Sequence, residues 1–355
     1  MEMLIMHERL EELMLAEKHI LERGIFSNPR NVFCSETPRL VDFLSSPDLN
    51  FKCLLDRNIV SYLVAMIKGL DLSNLSNQEP YRSVAGLQSF LNAGNILSEA
   101  GLSYHEYMDN NELNKADDEL SFFRAADNLD PNIYLEVFLN QRDTIPPSEV
   151  KTFKSGELLK GRLPERITQF ERNIVIVKKA IAISLSKKQS SYQTMLDLMD
   201  WIYEEYMFSA PSFHFLSIYF SSWKISKMLK SHSLKDVRNA TWDITYLQQL
   251  IKCYQEEPNT IWFFSTFDKA IRTTADLTFI RYDEDESNYM SRIEDSYGSM
   301  WGKKNNYGSK LIKKLIRFNE NPDDESRKMN QFNGSAEYQL EVREKTHQEY
   351  LRATA

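Results

Sequence analysis

Four acidic residues stand where a solvated carboxylate is least expected. Asp56 follows the apolar run of CLLDRNIVSYL, and Glu106 lies in LSYHEYM between aromatic neighbours. Asp243 sits in the nearly uncharged NATWDITYLQQL, and Asp268 follows IWFFSTF and precedes KAIR. Carboxylates drawn from separate elements suit hard Mg²⁺ or Mn²⁺ ions, which prefer oxygen ligands. Such ions clamp the attacking and leaving oxygens of a phosphodiester during in-line displacement. The four acids are therefore candidate metal ligands and catalytic residues for phosphodiester hydrolysis. Each taken alone has a plainer explanation as a surface carboxylate or a cap; Asp268, for one, can cap a helix beginning at Lys269. The set says more than its parts, because Asp56 and Asp268 follow hydrophobic strand-type runs directly. Clustered carboxylates repel, so without metal at least one should have a raised pKa, and metal binding should stabilise the fold.

The elements that would carry these acids can be read from the patterning. Phe51 to Leu55 (FKCLL) and Thr260 to Ser265 (TIWFFS) are short apolar runs of strand type. RNIVSYLVAMIKG after Asp56 has a helical pattern closed by Gly69. Strand, acid, helix is an α/β order, and parallel strands gather their C-terminal ends along one crevice. Further helices are expected at His7–Arg23, Tyr81–Asn92, from Leu102, Tyr192–Tyr206, Ser212–Leu229, Val237–Tyr254, Lys269–Leu277 and Ser309–Phe318. Residues 109–119 (DNNELNKADDE) read as a polar, acidic connector, and 120–170 as mostly helical. NIVIVKKAIAI at 173–183 fits either a strand or a helix. The tail from Asn319 has few apolar anchors before Tyr338, and reads as an extension pinned on the body or partly mobile.

These residues also resemble a family. LLDRNIVSYL resembles the opening strand–Asp–x–Asn–helix motif of PIN-like domains, with Asp56 and Asn58 in the matching places. LSYHEYM resembles the helix bearing that family's second acid, here Glu106. NATWDITYLQQL and then WFFSTFDKAI resemble the closing pair, a helix with an Asp and a strand ending Thr/Ser–x–Asp, here Asp243, Thr266 and Asp268. The resemblance covers roughly 51–108 and 236–277. It implies a parallel α/β sheet flanked by helices and a Mg²⁺- or Mn²⁺-dependent nuclease, with RNA ahead of DNA as substrate. Asn58 and Thr266 would then be supporting groups. The chain departs from the pattern in two ways. The stretch 107–242 separates Glu106 from Asp243, so about 109–235 is expected to be a helical insertion. Arg57 also stands where a small Thr or Ser is common. The implied organisation is an N-terminal helical extension (1–50), a PIN-like domain (51–280) and a C-terminal extension with a basic helix (281–355).

The composition sets the remaining bounds. The 355 residues carry 43 Lys plus Arg against 51 Asp plus Glu, a net charge of −8 that argues against an overall basic coat. Two stretches concentrate positive charge. SSWKISKMLKSHSLK holds Lys224, Lys227 and Lys230 at helical i, i+3 spacing, and WGKKNNYGSKLIKKLIRF holds Lys303, Lys304, Lys310, Lys313, Lys314 and Arg317. Their cations can neutralise phosphates, and Trp223, Trp301 and Tyr307 can stack on unpaired bases; both stretches can equally be solvated helix faces. His105 can be a substrate contact or a packed histidine, and SAPSFHFLSIYFSSW, with His214, reads as a core stripe. Three scattered cysteines fit neither a zinc site nor a disulfide framework. With no signal-type start and no apolar run of about 18 residues or more, the expectation is a cytoplasmic protein without a membrane partner. The alternative to a nuclease is a non-catalytic PIN-like or helical module that binds protein, a second copy or nucleic acid through its terminal extensions.

Overall fold

The computed structural model describes residues 9–32, 39–44, 46, 49–108, 113–151, 167–225, 228–302, 306–321, 324–325, 327–328 and 335–355. Cys34 and the basic residues Lys227, Lys303 and Lys304 lie outside them. The chain is α/β, with a small mixed sheet flanked by helices. It divides into two compact units, Met1–Glu165 with Gln249–Asp268, and Arg166–Gln248 with Lys269–Ala355. This division runs at other points of the chain than the expected boundaries at 50, 109, 235 and 280. Among the described residues, no helix is long and apolar enough to cross a membrane.

The first unit is built on the strands β1 (Phe26–Ser27), β2 (Asn50–Leu55), β3 (Ile96–Glu99) and β4 (Thr260–Ser265), in the spatial order β1-β4-β2-β3. β2 pairs in parallel with both β3 and β4. The expected all-parallel sheet is corrected at its edge. β1, from the stretch assigned to a helical extension, runs antiparallel to β4 with Phe26 opposite Ser265. β2 is central and nearly continuously apolar, with Phe51, Cys53, Leu54 and Leu55 all buried, as a strand covered on both faces requires. Phe26, Phe43, Phe51, Phe90 and Phe263 meet in edge and stacked contacts at the heart of this core. Around the sheet lie α1 (Leu10–Arg23), α2 (Leu40–Leu44), α3 (Arg57–Ile67), α4 (Glu79–Ala93), α5 (Gly101–Met108), α6 (Leu113–Asp127) and α7 (Pro131–Phe138). Gly24 and Gly69 end α1 and α3 with φ of 61° and 83°, the left-handed conformation that glycine adopts without steric cost.

Two readings change here. The connector expected at 109–119 is, from Leu113 on, the first turns of α6. Its polar look hides Ala116, Phe123 and Ala126 on a buried face, together with Asp117 and Glu119. The short strand β3 was not anticipated, because ILSE carries too few residues for alternation to register.

The second unit is helical: α8 (Thr168–Ser186), α9 (Ser191–Glu205), α10 (Ala210–Phe220), most of α11 (Leu234–Glu256), α12 (Lys269–Thr278), α13 (Glu286–Trp301), α14 (Tyr307–Glu320) and α15 (Ala336–Thr354). The open choice at 173–183 resolves to the middle of helix α8. The helix expected over Ser212–Leu229 stops at Phe220, and Leu229 and His232 have positive φ, so Lys224 and Lys230 do not share a helical face. The tail forms α15, packed against α8. Its buried residues Tyr338, Val342, Thr346 and Tyr350 recur every fourth position, and Ser335 caps it by accepting the Tyr338 N–H.

Helices α13 and α14 cross at glycine. A Cβ on Gly308 would lie 2.4 Å from the Tyr297 carbonyl carbon and oxygen, both backbone atoms that cannot turn aside. Gly298, by contrast, has nothing within 4 Å of its would-be Cβ. Urea unfolding should therefore show Gly308→Ala destabilised by about 1–3 kcal/mol or more through overpacking. Gly298→Ala should gain roughly 0.5–1 kcal/mol of helix propensity. Shifts of the same sign in both would refute the close crossing.

Candidate functional site

The pairing of β2 with β4 brings two of the sequence-predicted residues together. Leu55 lies opposite Ser265, and the Asp56 N–H donates to the Ser265 carbonyl at 3.0 Å, so the residues just beyond the strands, Asp56 and Thr266, also meet. Strand order reverses here, since the chain leaves β2 for β3 on one side and returns as β4 on the other. Crevices at such points, beyond the strand C-termini, are the usual ligand sites of α/β sheets.

Asp56 occupies the N-cap position of α3, yet its side chain makes no cap hydrogen bond. Its Oδ2 instead accepts from the Thr266 hydroxyl at 2.7 Å and from Asn58 Nδ2 at 3.3 Å. The Thr266 oxygen in turn accepts the Asp268 N–H at 2.9 Å, so its single proton is committed to Asp56. Asp56 is 4% exposed and Thr266 fully buried, while Asp268 is half-buried and Asn58 exposed. Burial pushes the Asp56 carboxyl above the usual carboxylate range. The Thr266 and Asn58 hydrogen bonds and the Arg57 backbone oppose that shift, and the nearby charge of Asp268 adds to it. Asp56 therefore holds the N-cap position without a capping bond to the turn's N2 or N3 N–H, its carboxylate shared between Thr266 beyond β4 and the first residues of α3.

Arg57, the departure from the family pattern, is pinned. Its guanidinium pairs with Glu119 of α6 and lies over the Tyr107 ring at 4.3 Å from the centroid. Both members of the pair are largely out of water, with side chains 16% and 7% exposed. Sequence reading missed Glu119 and the buried Asp117, although ADDELSFFRAAD does place Ala116, Leu120 and Phe123 at helical spacing around them. Glu106 stands half-buried on α5, next to Tyr107. Asp243 is half-buried on α11, in the second unit. Among the described residues, no three His, Cys, Asp or Glu are gathered into a group that could hold a metal ion. What the structure joins is therefore Asp56, Asp268, Thr266 and Asn58, rather than a cage of four acids.

The basic residues also sort themselves. Lys224 lies over the Tyr219 ring, and Lys314 pairs with Asp200 at 2.5 Å. Lys310, Lys313 and Arg317 are exposed on α14. Two aromatics expected to stack on bases are engaged within the protein: Tyr307 stacks on Tyr192 at 3.9 Å, and Trp301 Nε1 donates to Ser217 at 3.0 Å. His214 is buried, bonded to the Tyr297 hydroxyl at 2.9 Å, and its pKa is pushed down to about 3, as the core reading expects. His105 is half-buried, and burial lowers its pKa.

A carboxyl whose pKa is raised on folding contributes stability that is full below the unfolded value and is lost as pH rises through the folded one. In EDTA near neutral pH, Asp56→Asn should therefore melt at a higher temperature than wild type, and the advantage should vanish at acid pH; equal melting at both would contradict the burial cost. Removing one partner of the buried pair by Glu119→Ala should cost about 3–5 kcal/mol in denaturant unfolding, whereas Arg57→Met with Glu119→Leu should cost far less.

Compared with protein-family models, curated proteins and solved structures, the chain matches none, so its site is read from its own geometry.

Proposed function

We propose that the chain is a Mg²⁺- or Mn²⁺-dependent phosphodiester hydrolase of PIN-like type, with RNA ahead of DNA as substrate. The observation that carries this reading is the buried Asp56 carboxylate, fixed by Thr266 beside Asp268 at the C-terminal end of a central parallel strand. The donor set is all oxygen, which suits a hard cation. Two carboxylates without a third also suit Mg²⁺, which is commonly held by one or two carboxylates plus waters and substrate phosphate rather than by a protein cage.

Asp56 and Asp268 would hold the ion, with Glu106 of the same unit as a further candidate acid. A bound divalent ion supplies charge neutralisation at the phosphate and acidifies water. The chain's own part is preorganisation. Thr266 fixes the rotamer of Asp56, its proton pointing at Oδ2, and the Asp268 N–H fixes Thr266. Asn58 supports the same oxygen from the first turn of α3. Two adjacent carboxylates resist sharing a dry site, and a cation reverses that cost, so ion binding and stability are coupled. A second reading, a non-catalytic module with this fold, is favoured by the lack of a three-ligand group among the described residues.

Labelled RNA and single-stranded DNA incubated with Mn²⁺, Mg²⁺ or EDTA separate the two. Wild type should cleave only with metal, Asp56→Asn and Asp268→Asn should not, and Thr266→Val should lose about 10–100-fold as a residue that orients a ligand. Mn²⁺ should also raise the melting temperature of wild type but not of Asp56→Asn. Undiminished cleavage by Asp56→Asn would remove this site from the chemistry, and no cleavage with no metal-induced stabilisation would favour the non-catalytic module.

A further inference from the structure

Helix α14 is amphipathic in a way that leaves one basic stripe outward. Leu311, Ile312 and Leu315 are buried, Gly308 is buried against α13, and Lys310, Lys313 and Arg317 are exposed. At 100° per residue these three cations fall within about 60° of one another, and they span about 10 Å along the axis. The stripe ends one turn further on, at the exposed Glu320. Among the described residues, no carboxylate forms an ion pair with any of the three, whereas their neighbour Lys314, on the flank of the stripe, is held by Asp200. In a chain with a net charge of −8, three outward cations without acidic partners among the described residues are a local reversal of sign.

The rings beside the stripe are already used. Tyr307 stacks on Tyr192 at 3.9 Å and an interplanar angle of 12°, and Phe318 stacks on Tyr203 at 4.2 Å and 12°. Both partners come from α9, so the stacking fastens α14 to its neighbour and takes one face of each ring. A surface with cations in a row, whose neighbouring rings are used to hold the helix in place, is suited first to contacting phosphates.

We propose that the Lys310–Lys313–Arg317 stripe of α14 binds the phosphate backbone of nucleic acid, each of the three cations contacting one phosphate. Single strands and duplexes are both accepted, because the contact reads charge and spacing rather than bases. The stripe stands on observations separate from those at Asp56, and binding measured in EDTA tests it whether or not the chain cleaves RNA.

The test is fluorescence anisotropy of a labelled RNA oligonucleotide, single-stranded or annealed, with the full chain in EDTA over about 50–200 mM salt. The comparison variant is Lys310→Gln/Lys313→Gln/Arg317→Gln, whose exposed positions should leave its melting temperature unchanged. Loss of three phosphate contacts should flatten the dependence of log affinity on log salt by about 2 for single strands and about 3 for duplex. Should that variant unfold, single substitutions at Lys313 and Arg317 should each flatten it by about 0.7–0.9. An unchanged slope, no binding by wild type at low salt, or a strong preference for single strands would each overturn the proposal. So would binding to phosphatidylserine vesicles in place of RNA.

Discussion

The parallel pairing of β2 with β4 is the constraint from which the rest of the candidate site follows. Backbone hydrogen bonding sets Leu55 against Ser265, and the next residue on each strand must then meet its neighbour. Because Asp56 and Thr266 occupy those places, a carboxylate that would be hydrated anywhere else is drawn below the surface and given a hydroxyl to hold it. The aromatic packing of Phe26, Phe51 and Phe263 under the sheet fixes the register, since a slip by one residue would exchange buried and exposed faces. Sheet order supplies the location, side-chain chemistry supplies the acid, and neither suffices alone.

Much of this was legible in the residues. Apolar runs ending in Asp56 and Thr266–Phe267–Asp268 announce strands with acids at their ends, and these are local signals that survive without knowledge of the partner strand. Asn58 and Thr266, supporting groups only by the PIN-like resemblance, are both hydrogen-bonded to Asp56. Where reading failed, the deciding contact was remote. The acids of α6 look like solvent-exposed residues until α3 and α5 close over them, and the Arg57–Glu119 pair joins residues 62 positions apart. For the tail the sequence leaves a pinned extension and a mobile one both open, because only Tyr338, Val342, Thr346 and Tyr350 mark its buried face, and the packing of α15 on α8 decides for the pinned one. The basic run after Trp223 was read as helix because periodicity does not see the positive φ of Leu229 and His232.

The site and the basic stripe illustrate two uses of charge. At Asp56 a single charge is desolvated and therefore expensive, which makes it sensitive to pH. On α14 the charges remain in water, cost little, and act only on something as densely charged as a polyanion. The aromatic residues that sequence alone would pair with the stripe serve the second unit's packing instead, so residue type does not settle role where two rings can satisfy each other.

The Thr266–Asp56 hydrogen bond closes a gap of 210 residues, and the chain of the second unit's residues 166–248 is made in between. Closing so long a loop is slow compared with forming local helices. During synthesis, β2 therefore emerges and waits with its β4-facing edge unpaired until residue 265 has left the ribosome. Every shorter nascent chain lacks the hydroxyl that holds Asp56, so the acid pair does not exist until the sheet is completed. A protein assembled in this order cannot bring its candidate acids together before its sheet is complete.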